Sequence, residues 1–295
     1  MTNILAVKNV NKKYKDFSLK DISFELKQGY IMGFVGPNGA GKTTIIKLIM
    51  NLIKKDSGSI QIFGKDHIKN EKEIKDRIGF VYDENCFYED FKLHEIRKII
   101  APFYSKWNDE LFYKYIKQFD LPLDKKVKKL SKGMKMKFSI AMALSHDPDL
   151  IIMDEPTAGL DPVFRAQLLE LLLELMQNEN KSIFFSSHIT SDLDKIADYI
   201  TFIQDGEIIF SRSKDEIIET YAIVKGANDL LNADIKESFV NIDHNSFGFE
   251  ALTVDIPSIQ KKFGDSVIIE RPSLQDIMVH INAARRKARN EQKHI

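Results

Sequence analysis

The octapeptide Gly36-Pro37-Asn38-Gly39-Ala40-Gly41-Lys42-Thr43 satisfies the pattern G-x-x-x-x-G-K-[ST]. It follows Tyr30–Val35, a short apolar run typical of a strand buried on both faces. It opens Lys42–Ile53, in which apolar residues recur with helical spacing. Glycines in such a loop let successive N–H groups turn inward, and the helix N-terminus adds positive potential. The sequence therefore predicts a phosphate-binding loop rather than an ordinary glycine-rich turn, with Lys42 reaching the outer phosphates and Thr43 offering its hydroxyl to Mg²⁺.

A second apolar run, Leu150–Met153, is followed directly by two carboxylates, Asp154 and Glu155. An acidic residue at the end of a buried strand can hold Mg²⁺, directly or through water. Glu155 is then the candidate base that orients or deprotonates an attacking water. Taken alone, such a run is equally typical of a solvated strand end, and it gains weight only beside the phosphate-binding loop.

Composition excludes several classes of protein. With 295 residues, the chain has room for about two domains. Lysine plus arginine equals aspartate plus glutamate at 43 each, which argues against a general nucleic-acid binder. Cys86 is the single cysteine, so a disulfide scaffold and a multi-cysteine metal site are excluded. No uninterrupted apolar run is long enough to span a bilayer, and the opening MTNILAVKNV lacks the pattern of a signal peptide. We expect a soluble, cytosolic, two-domain protein.

The remaining patterns outline the organisation of the chain. Leu19–Leu26 alternates apolar and polar residues, as a half-buried strand does. Residues 83–119 are dense in aromatic side chains at irregular, helix-like spacing, which favours a helical subdomain. The α/β pattern returns with the strand Leu150–Met153 and with a further strand, Ile183–Ser187. Beyond about residue 213 the pattern fades into a short α+β tail.

Three further pieces accompany the phosphate loop and the acidic strand. The segment Leu130-Ser131-Lys132-Gly133-Met134, here called the signature segment, precedes the acidic strand. Ala158-Gly159-Leu160-Asp161 follows that strand, and His188 ends the next apolar run. In this order the five pieces resemble the ATP-binding-cassette (ABC) ATPases, over about residues 4 to 212. The set is far more specific than any one of its members.

The resemblance implies the fold and the domains. It implies an α/β fold, namely a P-loop NTPase core of the ABC ATPase type with an antiparallel β subdomain and a helical subdomain. The ABC ATPase domain would cover residues 1–212, with the helical subdomain at about 83–145. Residues 213–295 would form a small α+β C-terminal extension, either a packing extension or a support for dimer contacts or regulation.

The resemblance also implies roles for individual residues. Tyr14 matches the aromatic residue that stacks on adenine, although a plain strand-end tyrosine is the alternative. ATP would be bound by Tyr14, Gly36, Pro37, Asn38, Gly39, Ala40, Gly41, Lys42, Thr43, Thr44, Ser131 and Gly133. Ser131 and Gly133 would contact the γ-phosphate held by a second, head-to-tail subunit, because a serine cap leaves helix N–H groups facing an anion. Glu155, His188 and Lys42 would be the catalytic residues, although His188 alone could be a satisfied strand-end histidine.

Two departures from the family pattern affect this assignment. The family signature usually reads LSGGQ, whereas this chain has LSKGM, so Lys132 and Met134 change shape and charge near the neighbouring nucleotide. After Arg77–Tyr82 the family has a glutamine that senses Mg²⁺, whereas this chain has Asp83 and Glu84. A carboxylate can bind Mg²⁺ but cannot donate a hydrogen bond as an amide does. We therefore predict Thr43, Asp154 and Asp83 as the metal-binding residues.

From Lys125 to Lys137 the chain has seven lysines and no acidic residue. A solvated helix face is the usual explanation of such a run. Because Ser131 and Gly133 lie inside it, its positive field is also predicted to reach a nucleotide bound by the partner subunit.

Together these features predict the ATP-hydrolysing subunit of a membrane transporter, with ATP and Mg²⁺ as cofactors. The predicted partners are a membrane permease and a second ABC ATPase, in a homodimer or heterodimer, and not nucleic acid. The protein would lie at the cytoplasmic face of the plasma membrane, held there through the permease. Candidate permease contacts are aromatic residues of the helical subdomain: Phe87, Tyr88, Phe91, Phe103, Tyr104 and Trp107.

Local motifs at 103–108, 128–137 and 187–194 resemble exporter-type ATPases of Gram-positive bacteria. That group includes transporters for acetoin utilisation, antimicrobial peptides and phenol-soluble modulins, so export of a peptide or a toxic amphipathic compound is predicted. One alternative is a soluble ABC ATPase that acts on ribosomes or DNA. The other is a regulatory protein that binds ATP without turnover.

Overall fold

The computed structural model describes residues 2–84, 86–231 and 236–292, with side chains through residue 288. The chain divides into two units, Met1–Ser211 and Arg212–Ile295. The strands that begin in the first unit are β1 (Asn3–Lys13), β2 (Ser18–Lys27), β3 (Ile31–Val35), β4 (Ser57–Ile62), β5 (Lys65–Asp66), β6 (Ile78–Val81), β7 (Leu150–Asp154), β8 (Ser182–Ser187), β9 (Tyr199–Gln204) and β10 (Glu207–Ser213). Its α-helices are α1 (Lys42–Ile49), α2 (Glu71–Lys75), α3 (Leu93–Ile100), α4 (Asp109–Gln118), α5 (Lys132–Leu144), α6 (Pro162–Leu175) and α7 (Thr190–Ile196).

A six-stranded sheet forms the centre of the first unit, in the order β10-β9-β3-β8-β7-β6. The pairs β3–β8, β3–β9, β7–β8 and β6–β7 are all parallel. Every residue of β3, β7 and β8 is buried, and β3 and β7 are correspondingly nearly continuous apolar runs. β8 combines an apolar centre with serines at both ends. Because the carboxyl ends of parallel strands meet at one edge, the loops after β3, β6, β7 and β8 lie side by side.

The predicted antiparallel subdomain is a four-stranded sheet in the order β2-β1-β4-β5. β1 pairs antiparallel with both β2 and β4. The alternation expected for Leu19–Leu26 is present, since Ile22, Phe24 and Leu26 are buried and the residues between them are exposed. Phe24 packs against Phe34 of β3 and Phe184 of β8, so the two sheets share one core.

The predicted helical region is also present, with α3, α4 and α5 lying between β6 and β7. Phe112 on α4 and Phe138 on α5 are fully buried. The P-loop NTPase fold with its antiparallel and helical parts is therefore confirmed. One boundary differs, because α1 ends at Ile49 rather than Ile53. Asn51 adopts a left-handed φ of 54°, which turns the chain out of the helix.

The second unit is α+β, as predicted for the tail. Its elements are α8 (Lys214–Thr220), β11 (Ala222–Gly226), β12 (Asn241–His244), β13 (Phe249–Thr253), α9 (Ile256–Phe263), β14 (Ile268–Glu270) and α10 (Leu274–Gln292). The strands form an antiparallel sheet in the order β12-β13-β11-β14. A small core of its own includes Val224, Phe249, Ile259 and Phe263. We propose 1–212 and 213–295 as the two domains.

Among the described residues, every helix is either too short or too polar to cross a lipid bilayer.

Candidate active site

A cleft of about 470 Å³ lies where the carboxyl ends of the parallel strands meet. It collects side chains from the loops after β3, β6, β7 and β8. Its lining residues are Phe17, Asn38, Gly39, Gly41, Lys42, Thr43, Thr44, Asp83, Lys132, Glu155, Ala158 and His188. Residues far apart in sequence, among them Lys42, Asp83, Glu155 and His188, are thus brought to one place.

Glycine is required by the geometry of the loop after β3. Gly36 lies so close to β9 that a Cβ atom there would collide with the carbonyl oxygen of Ile203. Gly41 has φ of 112°, and a Cβ atom there would lie 2.6 Å from the Leu19 side chain. The loop can therefore wrap closely between the strand and α1, as loops that surround a phosphate with backbone N–H groups do.

Lys42 is a buried lysine at the start of α1, with 6% of its side chain exposed. Its ammonium donates to the carbonyl oxygens of Gly36 at 2.8 Å and Pro37 at 3.3 Å. It also lies 3.1 Å from Oε1 of Glu155, whose side chain is 11% exposed. A buried charge of this kind must be paired, and Glu155 pairs it.

Glu155 occupies a strained backbone position, with a left-handed φ of 48°. For a residue other than glycine such a conformation costs about 1–3 kcal/mol and is concentrated at functional sites. Ser186 on β8 holds it there, because the Glu155 N–H donates to the Ser186 carbonyl at 3.2 Å and to its Oγ at 3.0 Å. This backbone conformation places the Glu155 carboxylate in the cleft beside Lys42.

His188 contacts the other oxygen of the same carboxylate. Its Nδ1 lies 2.6 Å from Oε2 of Glu155, and its backbone N–H donates to that oxygen at 3.2 Å. If Nδ1 carries the proton, the ring donates to Glu155 and presents Nε2 as the nitrogen left for a ligand. Glu155 is therefore oriented from both sides, by Lys42 and by His188.

Asp154 is a fully buried carboxylate at the end of β7. Burial raises its pKa, while the hydroxyls of Ser186 and Thr43 act in the opposite direction. The Ser186 hydroxyl donates to Oδ1 of Asp154 at 2.7 Å. Oδ2 is also buried, and it has no hydrogen-bond partner among the described residues.

These oxygens fit a magnesium ion. Mg²⁺ is usually held by one or two carboxylates together with substrate phosphates and water. Oδ1 of Asp83 is a second buried carboxylate oxygen without a hydrogen bond in the described part of the chain. No cluster of three or more His, Cys, Asp or Glu side chains suited to a metal ion occurs among the described residues. The fit therefore rests on Asp154, the Thr43 hydroxyl and Asp83.

Several predicted nucleotide-binding residues lie outside this cleft lining. Gly36, Pro37 and Ala40 belong to the same loop but do not line the cleft. Tyr14 lies just beyond β1 with its ring 5.6 Å from the Lys12 ammonium. Ser131 caps α5 by accepting a hydrogen bond from the Met134 N–H at 3.2 Å, as predicted, and Gly133 lies in the first turn. The roles given to Tyr14, Ser131 and Gly133 remain predictions.

Sequence reasoning gave no role in this cleft to Phe17, Ala158 or Ser186, of which the first two line the cleft and Ser186 lies behind it. Lys132 was expected near the nucleotide of the second subunit, whereas it lines the cleft of its own chain. A signal for Ser186 was present, because β8 is buried throughout yet contains serines at 182, 186 and 187. Polar residues in a fully buried strand must find partners, and Ser186 finds Asp154 and Glu155. Phe17 had no comparable signal, since it lies in a turn between two strands of the other sheet.

Comparison with known proteins gives a consistent result. A family model described as ABC transporter matches residues 19–158. A second, described as AAA domain, putative AbiEii toxin, Type IV TA system, matches residues 126–194. The chain is 37% identical over 212 residues to the bacitracin transport ATP-binding protein BcrA of Bacillus licheniformis, covering 71% of this chain and 69% of that protein.

A further relative and a solved structure agree. The lantibiotic transport ATP-binding protein SrtF of Streptococcus pyogenes is 33% identical over 214 residues, covering 72% of this chain and 92% of that protein. A solved ATP-binding subunit of an ABC transporter superposes with a TM-score of 0.67 at 28% identity. The superposed region covers 72% of this chain and 91% of the solved chain.

Proposed function

The chain belongs to the ABC transporter family as an ATP-binding, ATP-hydrolysing subunit, and we propose that it powers a separate permease that exports a peptide or another amphipathic compound. The observation that supports this most is the contact of Lys42, Glu155 and His188 in one cleft beside the phosphate-binding loop. The groups needed to hold a triphosphate and to direct a water molecule are thus supplied by one chain.

Binding of ATP is the task of the loop and α1. The backbone N–H groups of Asn38–Thr44 and the ammonium of Lys42 would surround the phosphates, and the N-terminus of α1 adds a favourable dipole. The Lys42 ammonium would exchange its contacts with the loop carbonyls for phosphate oxygens. Tyr14 is our candidate for stacking on the adenine ring.

Hydrolysis requires a water molecule aimed at the γ-phosphorus. We assign Glu155 as the base that accepts a hydrogen bond or proton from that water. His188 holds the Glu155 carboxylate through Nδ1, and its other ring nitrogen is assigned to the γ-phosphate. Asp154, Thr43 and Asp83 would hold Mg²⁺, which neutralises charge that develops on the phosphate oxygens.

We propose that two ATPase subunits complete each other's sites. In this arrangement the α5 N-terminus of one subunit, with Ser131 and Gly133, meets the γ-phosphate bound by its partner. α5 is a 13-residue helix, so its free N–H groups form a substantial positive end for an anion. The partner is a second copy or a related ATPase.

The exposed aromatic residues of the helical region are our candidates for docking the permease. Tyr88 and Phe103 are 72% and 78% exposed, and Phe91 is 40% exposed. The other three candidates have partners inside the fold: Phe87 on Phe138, Tyr104 stacked on His146, and Trp107 on Phe112. Aromatic side chains are favoured at interface cores, so the exposed three carry the docking hypothesis. Docking would hold the protein at the cytoplasmic face of the plasma membrane.

Copurification tests the docking hypothesis. We expect Tyr88→Ala with Phe103→Ala to reduce recovery of a coexpressed permease by at least about tenfold, because exposed aromatics are frequent binding hot spots. Tyr113→Ala removes another exposed aromatic, at 46% exposure, outside the proposed contact. The amount of permease recovered with Tyr113→Ala should equal the amount recovered with the wild type. Equal loss in both variants would remove the docking assignment.

The cargo is proposed from the relatives, whose names include bacitracin and lantibiotic transport. The purified complex with its permease should increase its ATPase rate when such a peptide is added, and a hydrophilic peptide of similar length serves as the control.

Phosphate release tests the enzymatic assignment and the regulatory alternative together. Glu155→Gln should lower the rate by about 10²–10⁴-fold, the usual contribution of general acid–base catalysis, while ATP still binds. Lys42→Ala should abolish ATP binding itself. A wild-type protein that binds ATP but releases no phosphate, with or without its permease, would support the regulatory alternative instead.

A further inference from the structure

The two departures from the family pattern, Lys132 and Asp83, contact each other within this chain. The ammonium of Lys132 lies 3.6 Å from Oδ1 of Asp83. The Lys132 side chain passes over Gly159, and it lines the same cleft as Lys42 and Thr43. A residue of the signature segment therefore faces the nucleotide cleft of its own chain.

The Asp83 side chain is 40% exposed, but one of its two carboxylate oxygens is shielded from water. Its Oδ1 is buried and accepts no hydrogen bond among the described residues. At 3.6 Å the Lys132 ammonium supplies an ion pair but not a hydrogen bond. This carboxylate is consequently held by a weak contact that a closer cation can replace.

The neighbouring lysines provide the contrast. Lys128 pairs with Asp90 at 2.6 Å and Lys135 pairs with Glu89 at 3.1 Å. Neither Asp90 nor Glu89 lines the nucleotide cleft. All three lysines form ion pairs with carboxylates, but only the partner of Lys132 lines the nucleotide cleft.

One carboxylate cannot serve the ammonium and a metal ion equally well, because the two cations would repel each other at close range. Lys132 is also flanked by Ser131 and Gly133, the residues assigned to the nucleotide of the second subunit. While Lys132 rests on Asp83, this first residue of α5 is anchored to the cleft of its own chain.

We propose that Lys132 is a positioning residue that holds the signature segment against Asp83 until a divalent cation takes over that carboxylate. Metal loading of a cleft then releases Ser131 and Gly133 of the same chain for the second subunit. This inference rests on the proposed function, since it presumes the two-subunit site and the metal role of Asp83.

Nucleotide affinity with and without metal tests the inference. The probe is a fluorescent, non-hydrolysable ATP analogue, mant-AMP-PNP, titrated into the full chain in Mg²⁺ or in EDTA. The dissociation constant in EDTA divided by that in Mg²⁺ gives the gain in nucleotide affinity that the metal provides. Lys132→Gln should increase this gain about two- to fivefold, the range of an exposed ion pair, because the metal no longer competes with an ammonium.

Matched variants separate the effect of the Lys132–Asp83 contact from the effect of removing any one positive charge from α5. Lys135→Gln removes the same charge one turn further along α5 and should leave the gain unchanged. Lys132→Arg keeps the charge and should behave as the wild type, which guards against a folding defect in Lys132→Gln. In an Asp83→Asn background, Lys132→Gln should have no additional effect.

Equal effects of Lys132→Gln and Lys135→Gln, or an effect of Lys132→Gln that persists with Asp83→Asn, would overturn the inference alone. Failure of the wild type to bind mant-AMP-PNP, or equal binding by Lys42→Ala, would instead overturn the proposed function.

Discussion

Asp154 combines a proposed role as a metal ligand with a position that is unfavourable for its charge. Its carboxylate is fully buried, and burial raises its pKa because the charged form loses water. A group whose pKa is raised in the folded state makes folding less favourable once the pH is high enough to ionise it. The proposed role of this carboxylate as a metal ligand accounts for its presence at a position where its charge is unfavourable for folding.

Asp154→Asn should therefore separate stability from activity. The amide keeps an oxygen that can accept from Ser186 but carries no charge, so the urea midpoint at pH 7 should equal or exceed that of the wild type. Measured from pH 4 to pH 8, the advantage of the variant should grow as the pH rises from the ordinary aspartate pKa to the raised pKa of the folded protein, and it should stay constant above that range. Phosphate release should fall by at least about tenfold, since the metal loses a ligand. A lower urea midpoint at pH 7 would show that the charge stabilises the fold.

At the scale of the element, α5 has two tasks that one side chain combines. Ser131 satisfies the first turn by accepting from the Met134 N–H. The same helix end is proposed to face the phosphate of the second subunit. A negatively charged side chain can cap the helix, but it would repel a phosphate. The two roles can therefore be tested separately.

Ser131→Asp should keep the cap and lose the contact. Aspartate caps helices about as well as serine, so thermal stability should change little. The added carboxylate would oppose a phosphate, so phosphate release should drop by at least about tenfold. The matched control is Ser213→Asp at the cap of α8, where Ser213 accepts from the Glu216 N–H. Loss of activity in both variants, or full activity in Ser131→Asp, would contradict the contact.

The elements also show which features a sequence reveals. The strand–loop–helix around Gly36–Thr43, the acidic strand end and the cap at Ser131 were predictable, because local pattern determines them. Contacts between distant segments were not. Ser186 can hydrogen-bond to both Asp154 and Glu155 only because β8 lies beside β7. Lys132 can pair with Asp83 only because α5 folds back toward β6. The early end of α1 at Ile49 depends on the backbone of Asn51, which periodicity does not register.

At the scale of the molecule, the parallel sheet brings the residues proposed for hydrolysis within one chain to a single edge. The signature segment alone is proposed to act on a neighbour. The central claim is therefore that each competent site combines the phosphate-binding loop of one subunit with the α5 N-terminus of another.

Mixing two inactive variants tests this claim most directly. Lys42→Ala subunits keep the α5 N-terminus, and Ser131→Asp subunits keep the phosphate-binding loop, so a mixed dimer contains one intact site. If equal amounts exchange freely, half of the dimers are mixed, and phosphate release should recover to about a quarter of the wild-type rate. A mixture that stays at the summed rates of its two components, with mixed dimers shown to form, would contradict the account.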